Sequence, residues 1–223
     1  MKWGILATGN IAKKFASTIN QMSKENEQLA AVGSRHIDSA KAFAREHDIP
    51  RYYDSYEALV KDPDVEAVYV ATPNSLHYEN CRLCLEHGKH VLCEKPFAMN
   101  AAQARDALLY AESKGIKVME AFMYRFHPQW VHAEEIVRAG EIGKLQYVHV
   151  QFTYNNRDPR NIRNILSAGG GAIYDIGCYA CSSSRFIIGK EPRRAISLVR
   201  RDAEFGTDVL SSAILDFGDA EAL

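Results

Sequence analysis

Apolar residues fall along this chain in two rhythms, and the change between them divides it. From the amino terminus to about residue 122, short apolar runs alternate with segments of helical period. Trp3-Gly4-Ile5-Leu6-Ala7 reads as a buried strand and Thr8-Gly9-Asn10 as a tight turn. Ile11 to Gln21 reads as a helix, with Ile11, Phe15 and Ile19 at every fourth residue. Leu29 to Gly33 is a second strand. Asp38 is expected to cap a helix running through Glu46, with Ala40, Phe43 and Ala44 as its apolar stripe. Ser55 to Val60 reads as a short helix closed by Asp62-Pro63, and Val65 to Ala71 as a third strand. Leu76 to Glu86 is a helix ended by Gly88, and His90 to Cys93 a fourth strand. Ala101 to Ser113, ended by Gly115, and Lys117 to Glu120 supply one more helix and a fifth strand. This alternation predicts an α/β domain, a parallel sheet with helices on both faces.

After Phe122 the pattern changes. Trp130 to Ala139 reads as a helix, followed by the turn Gly140-Glu141-Ile142-Gly143. Gln146 to Tyr154 then alternates strictly. Val148, Val150, Phe152 and Tyr154 face one way, and Tyr147, His149, Gln151 and Thr153 the other, the signature of a half-buried antiparallel strand. Arg194 to Arg201 and Asp208 to Phe217 read as two more. Phe217-Gly218-Asp219 reads as a hairpin turn into a return strand at Ala220 to Leu223. The expected organisation is a dinucleotide-binding domain at residues 1–122 and a smaller α+β domain at 123–223, built on a mainly antiparallel open sheet. So thin a sheet has an unprotected edge. The expectation is that the sheet is truncated or that a partner subunit completes it.

Composition narrows the function classes. Over 223 residues, 47% are hydrophobic and 25% charged, and the formal net charge is -1, so neither nucleic acid nor an anionic membrane is an expected partner. Met1-Lys2-Trp3-Gly4 leads into a strand with no signal-peptide layout, and no apolar run has bilayer-spanning length, which makes the cytoplasm the default. Cys81 and Cys84 form one Cys-x-x-Cys pair, Cys178 and Cys181 another. Their separation is far beyond zinc-ribbon spacing, and both pairs fall in helical patterns, so they read as buried small hydrophobes rather than metal ligands.

The candidate chemistry gathers at the ends of the expected strands. In a dinucleotide turn, glycines let the backbone approach a pyrophosphate at a helix start. Here those positions hold Ala7, Gly9 and Ala12, a motif weak by itself but correctly placed between strand and helix. At the end of the second strand, Gly33-Ser34-Arg35-His36 carries no carboxylate. A carboxylate there would hold a ribose 2′-hydroxyl, whereas an arginine and a serine suit a 2′-phosphate, so NADP is favoured over NAD. Thr72-Pro73-Asn74-Ser75-Leu76-His77 follows the third strand, and Glu94-Lys95-Pro96 the fourth. A lysine at the carboxyl edge of such a sheet can hold a substrate oxygen and take part in proton movement. Farther on, Gly169-Gly170-Gly171 lets backbone approach a ligand or another segment, and a helix after it would put Asp175 and Tyr179 on one face.

Taken together, Gly9 and Ala12, Thr72-Pro73-Asn74-x-x-His77, Glu94-Lys95-Pro96 and Asp175-x-Gly177-x-Tyr179 make the chain resemble the Gfo/Idh/MocA oxidoreductase family over essentially its whole length. Met123-Tyr124-Arg125-Phe126-His127-Pro128 resembles the subgroup of dimeric dihydrodiol dehydrogenase and NADP-dependent xylose dehydrogenase, as does tyrosine at 179. The resemblance implies that Gly9, Asn10 and Ile11 meet the pyrophosphate, and that Ser34, Arg35 and His36 meet the 2′-phosphate. Thr72, Asn74 and His77 would lie along the ribose and nicotinamide, with Glu94 and Lys95 beside the ring and Arg125 at the nicotinamide end. Asp175 would bind substrate hydroxyls, and Tyr179 would exchange the proton with Lys95 lowering its pKa. The implied activity is hydride transfer with a sugar, cyclic diol or related polyol or carbonyl, in a homodimer formed through the second-domain sheet. A cofactor-binding regulatory protein and a redox-assisted glycosidase are the alternatives.

Overall fold

Residues 1–22 and 26–223 are described by a computed structural model, in which the chain divides after Ala121 into units Met1–Ala121 and Phe122–Leu223. The first unit runs β1 (Lys2–Leu6), α1 (Asn10–Gln21), β2 (Gln28–Gly33), α2 (Ile37–Glu46), β3 (Arg51–Tyr53) and α3 (Tyr56–Val60). It continues with β4 (Ala67–Val70), α4 (His77–Glu86), β5 (His90–Cys93), α5 (Ala101–Lys114) and β6 (Val118–Glu120). The strands form one sheet in the order β3-β2-β1-β4-β5-β6, with every pairing parallel. This is the expected doubly wound topology, which reverses direction between β1 and β4.

Strand periodicity explains why helices cover both faces. Successive side chains point to opposite sides, so Ile5, Val32 and Tyr69 enter one core with Ala12, Ala16 and Phe43. Leu6, Ala31, Val68 and Val70 enter the other, with Leu59, Val65, Cys84 and Leu85. Each fully buried Leu or Val contributes about 1.5–3 kcal/mol relative to exposure. Helix ends follow local chemistry. Ser55 Oγ accepts the Ala58 N–H at 3.2 Å to start α3, and Asn100 Oδ1 accepts the Gln103 N–H at 3.0 Å to start α5.

Three local expectations need correction. The edge strand β3 is absent from the sequence reading, because Arg51-Tyr52-Tyr53 is only half-buried and too short to show a period. It is held by main-chain pairing to β2 and by Arg51 and Tyr53, both of which reach the Asp62 carboxylate. Asp38 does not cap α2. His36 occupies the cap position, and Asp38 lies in the first turn, where its charge suits the helix dipole. Leu76, expected as the first residue of the helix through Glu86, instead ends a separate 3-10 turn, Asn74–Leu76, before α4.

The second unit holds α6 (Pro128–Ala139), β7 (Tyr147–Val148), α7 (Cys178–Ile188), β8 (Arg194–Arg201), β9 (Asp208–Asp216) and β10 (Glu221–Ala222). Its sheet order is β7-β10-β9-β8. The β8–β9 and β9–β10 pairs are antiparallel, and β10 with β7 is parallel. The expected antiparallel strand over 146–154 is therefore corrected: Tyr147 and Val148 pair with β10 in parallel, and the contact ends with the Val150 N–H on Leu223 O. Phe152 and Tyr154, placed by alternation on a buried side, are about half exposed, at 53% and 49%. A π-helical turn, Ile173–Gly177, leads directly into α7.

Ala7, at the first position of the dinucleotide turn, has φ of 78° and donates its N–H to Gly33 O at 2.9 Å. A side chain in this left-handed region costs about 1–2 kcal/mol. Ala7→Gly is expected to raise the unfolding free energy by about 1 kcal/mol, after the extra entropy of glycine in the unfolded chain is subtracted. Urea titrations of both proteins check this. An unchanged or lower midpoint would show that the turn relaxes around alanine without strain.

Candidate active site

In a doubly wound sheet the loops that leave the strands' carboxyl ends share one edge, and the first unit gathers its polar residues there. Gly9 precedes α1 with φ of -74° and ψ of 178°, ordinary extended backbone. A Cβ on it would meet no protein atom within 4 Å. Neither backbone geometry nor packing calls for glycine at this position. What glycine does is keep the approach to the α1 amino terminus clear. The opening amides of that helix have no intrahelical acceptor, no side chain caps them, and its first turn holds no acidic residue. These features fit a dinucleotide pyrophosphate, which Gly9, Asn10 and Ile11 would hold.

After β2, Ser34 is buried, and its Oγ lies 3.4 Å from the His36 N–H. Arg35 is exposed, and its charge opposes the upward push that burial gives the Tyr56 phenol. The first carboxylate downstream is Asp38, inside α2. The residues leaving β2 thus offer a hydroxyl and a cation.

Two braces hold the loop that carries Lys95. On one side, Glu94 is buried and accepts a short hydrogen bond from the Tyr69 hydroxyl, whose ring stacks on Phe15 with centroids 4.0 Å apart. On the other, Pro96 O lies 2.7 Å from His77 Nδ1, while His77 Nε2 lies 2.8 Å from Thr72 O. The Lys95-Pro96 bond is cis. Phe97 N–H donates to Glu120 at 2.7 Å, and Asn80 Nδ2 donates to the Thr72 hydroxyl at 3.1 Å. The loops after β4 and β5 are thus joined through one imidazole. His77 is 1% exposed, and its ring atoms face backbone carbonyls, so in this unit it serves as a tie between loops.

That ring is pulled in opposite directions. Burial drives its pKa down, and this is the dominant influence. The Pro96 and Thr72 carbonyls and the Glu94 carboxylate push it back up, and the Lys95 charge adds to the lowering. A neutral imidazole donates through only one nitrogen, so just one of the two carbonyls receives a proton.

In the second unit, packing rather than ligand approach accounts for the glycine run. Gly169 has φ of 77° and closes a 3-10 turn. A Cβ on Gly170 would lie 2.5 Å from Arg163 O, and one on Gly171, at φ of 123°, would lie 2.0 Å from Asp208 Oδ1. Asp208 Oδ2 in turn accepts the Ile173 N–H at 2.7 Å, tying β9 to the start of the π turn. That turn delivers Asp175, which is buried. Its Oδ2 accepts the Tyr154 hydroxyl at 2.6 Å and is ion-paired with Arg163, whose Nε lies 2.8 Å away. Burial, then the Asp175 carboxylate, push the Tyr154 phenol up to about 12.

Tyr179 sits in the first turn of α7 among aromatic rings. Phe122 is edge-on at 5.2 Å, Tyr124 at 6.1 Å and Phe152 at 6.2 Å between centroids. The Tyr124 hydroxyl lies 2.7 Å from Ser182 Oγ. Arg125 packs its guanidinium 5.2 Å from the Phe186 ring centre and lines a cleft of about 300 Å³ with Arg185, Lys190 and Glu191.

Within the first unit the structure therefore brings Gly9, Asn10, Ile11, Ser34, Arg35, His36, Thr72, Asn74, Glu94 and Lys95 to the strand-end loops and the helical turns that open from them, on one sheet edge, with His77 beneath them. Within the second it sets Asp175 and Tyr179 on one continuous helical segment, and Arg125 against the last turns of α7. Tyr69, Tyr154, Arg163 and Asp208 were missed. Tyr69 did leave a signal, since a phenol in an otherwise aliphatic buried strand must find a hydrogen-bond partner. Cys81 and Cys84 are buried, as expected, together with Cys93, but Cys181 is exposed, which corrects the reading of the second pair.

The family model described as "Oxidoreductase family, NAD-binding Rossmann fold" matches residues 1–122, and the "GFO/IDH/MocA C-terminal domain" model matches residues 130–222. An uncharacterized oxidoreductase of Rhizobium meliloti is 39% identical over 97% of this chain and 65% of its own length. Trans-1,2-dihydrobenzene-1,2-diol dehydrogenase of Bos taurus is 36% identical over 97% of this chain and 64% of its own length. The chain thus spans about 65% of the length of the curated relatives it matches. Among solved structures, an aldose-aldose oxidoreductase of Caulobacter crescentus complexed with glycerol superposes with a TM-score of 0.91 at 28% identity, covering 100% of this chain and 69% of that one. A 3-ketoreductase of Actinomadura kijaniata in complex with NADP and TDP-benzene superposes at 0.90 with 29% identity and the same coverage. No helix among the described residues is long and apolar enough to cross a membrane.

The depressed pKa of His77 has a defined effect on stability. As pH falls through about 6.5, the unfolded chain takes up a proton that the native ring resists, so native stability falls with it. Wild type is expected to lose about 1 kcal/mol more than His77→Gln between about pH 7.5 and 5.5. Denaturant unfolding of both proteins across that range measures the difference. If wild type instead gains on the variant during acidification, the ring bridges its two carbonyls as imidazolium.

Proposed function

The chain belongs to the GFO/IDH/MocA oxidoreductase family, and from that premise we propose that it is an NADP-dependent oxidoreductase acting on a sugar, a cyclic diol or a related polyol or carbonyl. The observation that carries this reading is the position of Lys95. It lies at the carboxyl end of β5, between two anchored neighbours, on the edge of the sheet that also presents the clear α1 amino terminus. The nicotinamide, when bound, supplies the hydride acceptor or donor.

The remaining chemistry falls to the chain's own residues. The α1 amides of Asn10 and Ile11 receive the pyrophosphate charge, with Gly9 leaving room for it. Arg35 and Ser34 favour a 2′-phosphate over a bare ribose hydroxyl. Lys95 places positive charge at the reacting oxygen, which stabilises negative charge developing there during reduction and favours loss of the hydroxyl proton during oxidation. Tyr179 exchanges that proton. A free phenol titrates near ~10, so its work as a base requires an environment that favours the phenolate. Asp175 accepts hydrogen bonds from substrate hydroxyls. The names of relatives support the substrate class: one is a diol dehydrogenase, one an aldose-aldose oxidoreductase and one a ketoreductase in complex with NADP. A cytoplasmic setting and self-association through the exposed β8–β9 face, where Ile196 and Leu198 are solvent-accessible, belong to the same reading.

Lys95→Ala is expected to lower kcat by about 100-fold or more while the Kd for NADPH changes by less than about threefold. Stopped-flow turnover and NADPH fluorescence titration measure the two quantities. Retained turnover would remove Lys95 from the chemistry. Arg35→Ala should weaken NADPH by about 10- to 100-fold, the worth of a charge-assisted hydrogen bond, with little change for NADH. Equal losses for both cofactors would refute the assignment to the 2′-phosphate.

A further inference from the structure

Arg163 is joined to the turn beneath Asp175 more than once. Its carbonyl oxygen accepts the Gly171 N–H at 2.9 Å, and Gly170 packs so closely on that carbonyl that no side chain fits between them. Its side chain then returns to Asp175 Oδ2, with Nε at 2.8 Å. The same oxygen receives the Tyr154 hydroxyl at 2.6 Å. Asp208 already ties the Ile173 N–H and packs against Gly171. A hydroxyl donor and a guanidinium gathered on one carboxylate oxygen constrain the place of the carboxylate as well as its charge.

We propose, resting on the redox reading above, that Arg163 and Tyr154 are positioning residues that hold the Asp175 carboxylate ionised and oriented toward a substrate hydroxyl. A carboxyl group as buried as Asp175 favours its neutral form unless a cation and hydrogen-bond donors compensate. A protonated Asp175 would accept substrate hydroxyls less well and would have a freer side chain. The groups around it are Tyr154 from the segment after β7, Arg163 from the 3-10 turn Ile162–Asn164, and Asp208 from β9 at the base of the π turn. Tyr174, Cys178 and Tyr179 come from its own helical segment. Tyr154, with its pKa pushed up to about 12, stays a donor. Control of substrate hydroxyl binding thus extends to two side chains that act through Asp175.

The test uses the full chain and its Arg163→Met, Arg163→Lys and Tyr154→Phe variants. KM and kcat for NADP-linked oxidation of a polyol panel are measured against pH, and NADPH binding by fluorescence. The Asp175 carboxyl is titrated by carbon-13 NMR, with Asp175→Asn assigning its signal. Arg163→Met should raise KM about tenfold or more and move both the acid limb of kcat/KM and the Asp175 titration up by about one pH unit. NADPH affinity should stay within about twofold. Arg163→Lys should restore most of the titration shift but not the KM, because an ammonium replaces the charge without the guanidinium geometry. Tyr154→Phe should raise KM with a smaller titration shift, and it carries the test if Arg163→Met fails to fold. Folded variants with wild-type KM and wild-type Asp175 titration would overturn the proposal. If the wild type oxidises or reduces nothing on the panel, the redox reading falls. The titration then decides the clamp alone, a shift supporting it and no shift refuting it.

Discussion

In the first unit, alternate residues of each central strand disappear into opposite cores, Ile5 to one side and Leu6 to the other. A sheet sealed on both faces leaves polar chemistry only at its strand ends, and parallel pairing aligns all the carboxyl ends on one edge. The placement of Gly9, Ser34, Thr72 and Glu94-Lys95 follows from that constraint, although these residues are spread over almost ninety positions of sequence. No local feature of any one loop accounts for their meeting.

Having brought the loops together, the fold must hold them still, and it does so with buried polar ties. Tyr69 hangs from a core strand and reaches Glu94, and His77 joins the carbonyls of Thr72 and Pro96. Both are costly groups to bury unless they are hydrogen-bonded, and both are bonded. Lys95 lies between the residues they anchor. Its position is therefore set by side chains that have no need to touch a ligand. For His77 the arrangement carries its own tension, since a neutral ring satisfies one carbonyl while two are within reach.

The second unit solves the same problem by a different route. Its sheet is thin and largely exposed, so a packed strand edge is not available to fix Asp175 and Tyr179. Close backbone packing takes over. Gly170 rests on the Arg163 carbonyl, Gly171 on the Asp208 carboxylate, and the π turn that follows is held at its first amide. Arg163 and Tyr154 then restrain the Asp175 side chain itself.

Much of this was legible in the residues. Strand and helix alternation through Glu120 determined the parallel sheet, because a buried strand and an amphipathic helix each impose their own period. Gly-Ser-Arg-His at the end of the second strand and Lys95 at the end of a later one followed directly from that layout. The edge strand Arg51–Tyr53 was not legible, since three half-buried residues carry no period and only its neighbour β2 makes it a strand. The alternation over 146–154 was real but misleading. Tyr154 lies outside the ladder, and its hydroxyl instead donates to Asp175, a partner 21 residues away. Sequence by itself determined most of the strands and helices and which loops between them hold the candidate polar residues, because those depend on short-range periodicity and local turn chemistry. Only tertiary structure decided what holds Glu94, His77 and Asp175 in place, because each of those ties joins side chains or carbonyls that no local pattern connects.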